Sequence, residues 1–569
     1  MSKILYILYR NPSSEQQKLD VEKIKVIGER ILPDNIEPNK LQIITSKDSI
    51  CAVYNPVSTI AIKDCSVCMG YTPNQNWFEM NLKSENIEGS FAIFRNSNDY
   101  FQLVTDMVAS RSIWYFKNDS LFIASSSQRA IIMYLGSFEF NNKVTPWMLS
   151  SGTLGPGYSY DRRLSLLEPN TIITLNKINW ETIKESEIIE LRNSFNSKKE
   201  AKEELRKVLK QVINKFEFDK SRFVLPLSGG YDSRGILLHI KEKENLKTIT
   251  WGTKEALFEK VNDAFIADRL AFKYKTKHTY FESYNYDVSL AESINRFIIN
   301  SEGRIDHIGG YLDGMAMWAE FFERGYECLI RGDELIGLGI PVSQLDARRS
   351  SKITILSDYY NISQDFINKF PHQELPLEKY KELYKDKGLF AIYYEHPIAF
   401  AALNDIKLSY VEIFNPLLSS SILKTVFTMF NEKNIGDKIS FKRIVDELCP
   451  DIPIAQKGAN KPIGDILSSS EMCDEVINCF KSWSETDVVE KDVVEYVSLK
   501  LANKGALKSS KIEIMKKWIP KKLFRMIKGS TPKRILDWNI LAFRLYIIIR
   551  MGRMFNQDAK LFINENSNK

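Results

Sequence analysis

The stretch Leu227-Ser228-Gly229-Gly230-Tyr231-Asp232-Ser233 concentrates residue types that can handle a phosphate. Adjacent glycines permit backbone angles closed to other residues and let amides come close to a ligand. Those amides, the Ser228 and Ser233 hydroxyls and the N-terminus of a following helix would make an anion site. Asp232 would repel a bare phosphate, so its presence implies a bridging cation, most simply Mg2+. Together the residues point to a nucleotide with its metal, although the same types also suit an ordinary strand-to-helix turn. No Gly-Lys-Ser follows, so this is not a Walker loop, and the dinucleotide spacing is absent.

Such a loop needs a strand before it and a helix after it. Phe223 to Leu227 is an apolar strand-like run, and a helix is expected from about Asp232. "KTITWG", "DAFIADRLAFKY" and "YECLIRG" continue the alternation, the pattern of a parallel sheet wrapped by helices. Upstream, runs such as "KILYILY", "GSFAIFR", "YFQLVTD" and "TIITLNK" are separated by turn residues and read as stacked antiparallel sheets. Leu205, Val208, Val212 and Ile213 then fall on one helical face among lysines and glutamates. From about residue 380 the chain reads as mostly helical. The expected division is 1–195, 196–500 and a basic helical segment 501–569.

The 569 residues allow two to four domains, and 44% hydrophobic residues suffice for real cores. The net charge of +6 is too modest to name a partner. Seven scattered cysteines are not a disulfide framework, and Cys65 and Cys68 form one CxxC without a second pair, so zinc is not expected. The five histidines show no ligand spacing. The start "MSKILYILYR" lacks a secretory pattern and no window reaches the length of a membrane span, so a cytoplasmic protein is expected.

"LSGGYDS" resembles the pyrophosphate loop of the ATP-pyrophosphatase superfamily, and its context is similar to asparagine synthetases, beta-lactam synthetases and lasso-peptide macrolactam synthetases. "IRGDELIGLG" resembles that family's GADELFGG segment, "SYVEIFNPLLSSSIL" its EARxPFLD segment, and "FKRIVDELCPDIPIAQKGANKP" the segment carrying its lysine. "EGSFAIFRNSNDYFQLVTDMVASRSIWYF" and "DRRLSLLEPNTIITL" are similar to the end of the glutaminase-like domain and its exit. The resemblance implies an α/β protein: a glutaminase-like stacked-sheet domain, then a parallel-sheet ATP-pyrophosphatase domain with a helical extension. It implies ATP-dependent amide formation through an acyl-adenylate, with ATP and Mg2+ as cofactors. Asp232 and Asp333 then correspond to metal ligands and Lys457 to the catalytic lysine. Leu227 and Trp251 correspond to the adenine and ribose pocket, with Gly252 at the strand end. Trp251 equally fits plain core, and Lys457 a solvated surface lysine.

Two departures shape the expected activity. Met1-Ser2 stands where the family's amidotransferases begin Met-Cys, and a serine is a far weaker nucleophile than a thiolate. Segments of the RGPD and NGEIYN types are missing, so the first domain is expected to have lost glutaminase activity. Ile330, Arg331 and Gly332 replace the glutamate or tyrosine that precedes the Asp-Glu pair in relatives. Arg331 can hold a substrate carboxylate or phosphate, or simply pair with a neighbouring acid. Small-molecule or peptide carboxylates and amines are the expected partners. An asparagine synthetase using ammonia, and a noncatalytic nucleic-acid-binding member, remain as alternatives. The second draws on Lys504–Arg553, basic and bearing Trp518, Phe524, Trp538, Phe543 and Tyr546, which also suits a peptide or partner protein.

Overall fold

In the computed structural model, residues 2–187, 194–283, 286–336, 353–374, 391–429, 438–459, 466–502 and 534–562 are described. Twelve strands build the first part: β1 (Lys3–Tyr9), β2 (Gln42–Thr45), β3 (Ser49–Tyr54), β4 (Ala61–Lys63), β5 (Ser66–Tyr71), β6 (Ser90–Asn96), β7 (Tyr100–Thr105), β8 (Trp114–Lys117), β9 (Leu121–Ser125), β10 (Ser165–Leu166), β11 (Thr171–Asn176) and β12 (Thr182–Ser186). They form two six-stranded sheets, ordered β10-β8-β9-β1-β3-β2 and β12-β11-β7-β6-β5-β4. Neighbours such as β1 and β3, or β6 and β7, run antiparallel.

Strand periodicity decides the layers, because successive side chains point to opposite faces. Ile4, Tyr6 and Leu8 of β1 meet Phe94, Phe101 and Leu103 of the second sheet. Leu5, Ile7 and Tyr9 point the other way, into a core shared with α1 (Ser14–Ile31), α2 (Gln128–Leu135) and α3 (Val144–Ser151). The strand-rich reading of this part leaves out α1, whose Ile24, Ile27 and Ile31 form its buried stripe.

After the sandwich, α4 (Lys198–Lys215) buries the expected face, including Leu205, Val208, Val212 and Ile213. Then follow β13 (Phe223–Pro226), α5 (Asp232–His239), β14 (Lys247–Gly252), α6 (Asp263–Tyr274), β15 (Lys277–Glu282), α7 (Leu290–Ser301), α8 (Ala316–Glu323), β16 (Cys328–Ile330) and β17 (Glu412–Phe414). The five strands are parallel, in the order β15-β14-β13-β16-β17. β17 lies in the stretch expected to be mostly helical. The chain steps outward from β13 to β15 and returns to the other side of β13 for β16. That reversal opens a crevice beyond the carboxyl ends of β13 and β16.

The last helix, Trp538–Asp558, and residues 534–537 carry the described part of the basic segment 504–553; residues 504–533 lie outside the described residues. Trp538, Phe543 and Tyr546 are buried in the core rather than displayed. Its arginines are absorbed by acids of the fold: Arg544 Nε lies 2.6 Å from Asp306, Arg550 Nη1 3.7 Å from Glu475 and Arg553 Nε 2.6 Å from Asp487. Trp518 and Phe524 lie outside the described residues. No helix among the described residues is long and apolar enough to cross a membrane.

Candidate nucleotide site

The Ser-Gly-Gly loop joins the end of β13 to the start of α5, at the crevice. The Ser228 amide donates to Ser233 Oγ at 2.9 Å, the two serine hydroxyls lie 3.0 Å apart, and the Gly230 amide donates to Ser228 Oγ at 3.2 Å. The Gly229 amide donates to Asp263 Oδ1 at 3.1 Å. These amides, expected to face a phosphate, are engaged within the protein. At the α5 N-terminus the helix dipole favours negative charge, and the helix opens on Asp232.

Neither loop glycine adopts a positive φ. Gly229 is needed for space: a Cβ there would stand 2.5 Å from Ala455 Cβ and 2.9 Å from Ile266 Cβ. Gly332 has the same purpose across the crevice, since its Cβ would reach 3.0 Å from both Asp232 Cβ and the Ser233 amide nitrogen. This close approach sets the Asp333 segment against the start of α5.

Leu227, Ser228, Asp232, Ser233, Trp251, Arg331 and Asp333 line one cavity of about 270 Å³, with Thr250 and Asp263 among the other walls. Trp251 both lines the cavity and packs edge-on against Trp318, ring centres 6.0 Å apart. Gly252 lies against Ala459, whose carbonyl accepts the Thr253 amide at 2.9 Å.

Charge is concentrated on the side of β16. Arg331 Nη2 donates to Asp333 Oδ1 at 3.3 Å, the acid pairing that the sequence left open, while its Nε is buried without a partner. Burial alone would raise the Asp333 carboxyl, but Arg331, Lys407 and His396 outweigh it and hold it below its ordinary range. Burial pushes Lys407 down to about 7 and His396 down to about 4. Burial raises Asp263, against the opposing Gly229 amide bond.

Lys438 reaches a carboxylate that lines the cavity, a contact that the sequence does not announce. Its Nζ lies 2.8 and 2.9 Å from the two Asp232 oxygens and 2.5 Å from Glu334 Oε1. Burial would lower its affinity for a proton, yet Glu334 and Asp232 raise it on balance. It opens the helix Ile439–Leu448, and no motif in that amphipathic stretch distinguishes it from Lys442 beside it. Lys407 and His396 are equally invisible in the sequence, since both come from an apolar run far from the loop.

Lys457 does not line the cavity. Its segment bridges to Asn262 in parallel register, its carbonyl accepts the Asp263 amide at 2.9 Å, and its Nζ lies 2.9 Å from Glu259 with the side chain 62% exposed.

Among the described residues no three His, Cys, Asp or Glu side chains are placed to hold a metal alone. Asp232 and Asp333 fit a magnesium ion that draws its other ligands from phosphate and water. Asp333 Oδ2 is buried and unpartnered, and Asp232 already turns both oxygens toward one cation.

At the other candidate site, the Ser2 hydroxyl is buried and donates to the Asn55 carbonyl at 2.8 Å. The adjoining cavity, between Ser2, Lys3, Arg111, Glu302 and Asp405, measures about 20 Å³. That holds a water molecule, not an amino acid.

No protein-family model matches the chain, and no curated protein matches it. Among the solved structures, the chain is similar to the glutamine phosphoribosylpyrophosphate amidotransferase from B. subtilis complexed with ADP and GMP. The identity is 12% and the TM-score 0.19, over 40% of this chain and 60% of that one. The match spans less than two thirds of that enzyme, and so slight a likeness carries no functional argument.

Proposed function

We propose that the chain is an ATP-dependent ligase, related to asparagine synthetases, that forms an amide bond. A substrate carboxylate attacks the α-phosphorus of ATP, giving an acyl-adenylate and pyrophosphate; an amine then attacks the acyl carbon and AMP leaves. The observation that carries the reading is the Ser228–Ser233 loop at the reversal point of a parallel sheet, with Asp232 and Asp333 lining the same crevice. Mg2+ supplies charge neutralisation for the departing pyrophosphate. Asp232 and Asp333 hold it, the α5 N-terminus with Ser233 orients the phosphates, and Leu227 and Trp251 wall the nucleoside.

Arg331, with Nε free of partners, takes the substrate carboxylate. Lys438 faces the charge that builds on phosphorus. Lys457 serves this reaction only by leaving Glu259 when nucleotide binds. The amine is not drawn from glutamine: the Ser2 hydroxyl donates to the Asn55 carbonyl, and the cavity that Ser2 lines measures about 20 Å³. A peptide amine, closed onto a side-chain carboxylate as a macrolactam, is the sharpest form of the reading.

The test is exchange of labelled pyrophosphate into ATP against a panel of carboxylates that includes aspartate and candidate peptides. Exchange stimulated by one member is expected. ATP binding at the loop with no member supporting exchange would overturn the ligase reading. Lys457→Met should depress that exchange on the order of 100-fold, and unaltered exchange would leave Lys438 as the acting cation.

A further inference from the structure

Lys438 joins two carboxylates beside the loop, Asp232 and Glu334. An ammonium almost equidistant from both oxygens of a carboxylate, at 2.8 and 2.9 Å from Asp232, occupies the bisector on which a chelated cation sits. The same nitrogen reaches Glu334 Oε1 at 2.5 Å, so it closes the gap between a residue of α5 and one that follows β16. The three side chains are mostly shielded from solvent, which keeps the attraction from being screened away. A divalent cation and the ammonium cannot share that position, because each would repel the other at contact distance.

The backbone at Lys438 is left-handed. Its φ is +57°, in the left-handed region that a side-chain-bearing residue enters at some strain, and it is the residue that leads into the helix Ile439–Leu448. Across the crevice, Asp333 Oδ2 remains unpartnered while Asp232 is saturated by one lysine. The site therefore holds one carboxylate ready for a metal and one already occupied by the chain's own cation.

We propose that Lys438 is a tethered stand-in for the divalent cation: before nucleotide arrives it closes the Asp232–Glu334 position, and the magnesium nucleotide displaces it toward the phosphates it brings. The inference rests on the proposed magnesium-nucleotide reading of this site and adds to it a reason for ordered binding. Free metal meets an occupied Asp232, whereas metal arriving on a triphosphate carries the anion that draws the lysine away. Lys438 thus sets metal affinity as well as facing the phosphates.

The test titrates Mn2+ into the full chain without nucleotide, following loss of the free-ion electron paramagnetic resonance signal. Wild type should bind weakly, and Lys438→Met should bind roughly tenfold or more tightly, since a like charge has been removed from contact with the metal. Adding Asp232→Asn to Lys438→Met should erase the gain. Lys438→Gln, which keeps length and polarity, provides a second variant should the methionine disturb the fold. Unchanged Mn2+ affinity in both single variants overturns the proposal. Repeating the titration with ATP separates the two layers. If Mn2+ and ATP bind wild type together but the Lys438 variants bind free Mn2+ no better, the stand-in role alone fails. Absence of Mn2+ binding in every protein, with or without ATP, removes the metal-nucleotide reading as well.

Discussion

Replacing His396 by phenylalanine should flatten the acid side of the stability curve. His396 is buried and stacks on Phe400 with ring centres 4.8 Å apart, so His396→Phe keeps an aromatic ring at the position and removes the titrating imidazole, at a packing cost that does not vary with pH. Burial depresses its proton affinity from 6.5 to about 4, even though Asp333 pulls the other way. The unfolded chain takes up the proton as pH falls through about 6.5, and the folded chain refuses it until about 4. The contribution to stability is therefore complete above 6.5, falls through that window and is level below it. A change from 6.5 to about 4 corresponds to roughly 3 kcal/mol. Urea unfolding of wild type and His396→Phe at about pH 7 and about pH 4.5 measures the difference. Wild type should lose roughly 2–3 kcal/mol more than the variant between those conditions. Equal losses would show that the imidazole is not held neutral beneath Asp333.

Three other expectations rest on the same geometry. Asp232→Ala should cut nucleotide-dependent turnover on the order of 100- to 1000-fold with the circular dichroism spectrum preserved; unchanged turnover would move the site elsewhere. Gly229→Ala should destabilise by about 1–3 kcal/mol in denaturant titration, because its Cβ would stand 2.5 Å from Ala455 Cβ. A neutral result would mean that the Ala455 segment yields freely. Incubation with glutamine should release no glutamate, and release that Ser2→Ala abolishes would contradict the account of the first domain.

The loop and its surroundings are legible in the sequence because their signals are local. A strand-length apolar run, two glycines and an aspartate opening a helix suffice to place β13, the loop and α5, and the alternation around them marks the parallel sheet. The purpose of Gly229 is not legible, because sequence suggests torsional freedom while the requirement is contact with Ala455 and Ile266, which come from distant segments. Lys438, Lys407 and His396 carry no local mark at all. Their positions depend on a helix start and a buried apolar run folding beneath the crevice. The pairing of the arginines in the last helix is hidden for a related reason. They look solvent-directed until Asp306, Glu475 and Asp487 arrive from elsewhere in the chain to pair with them.

The most direct measurement tracks oxygen. A carboxylate substrate that supports pyrophosphate exchange is labelled with 18O in both oxygens and turned over with ATP and an amine, and the AMP is analysed by mass spectrometry. Attack of the carboxylate on the α-phosphorus places one labelled oxygen in AMP for each amide formed, and that is the expected result. Unlabelled AMP, or label recovered in inorganic phosphate with ADP as the nucleotide product, would contradict it.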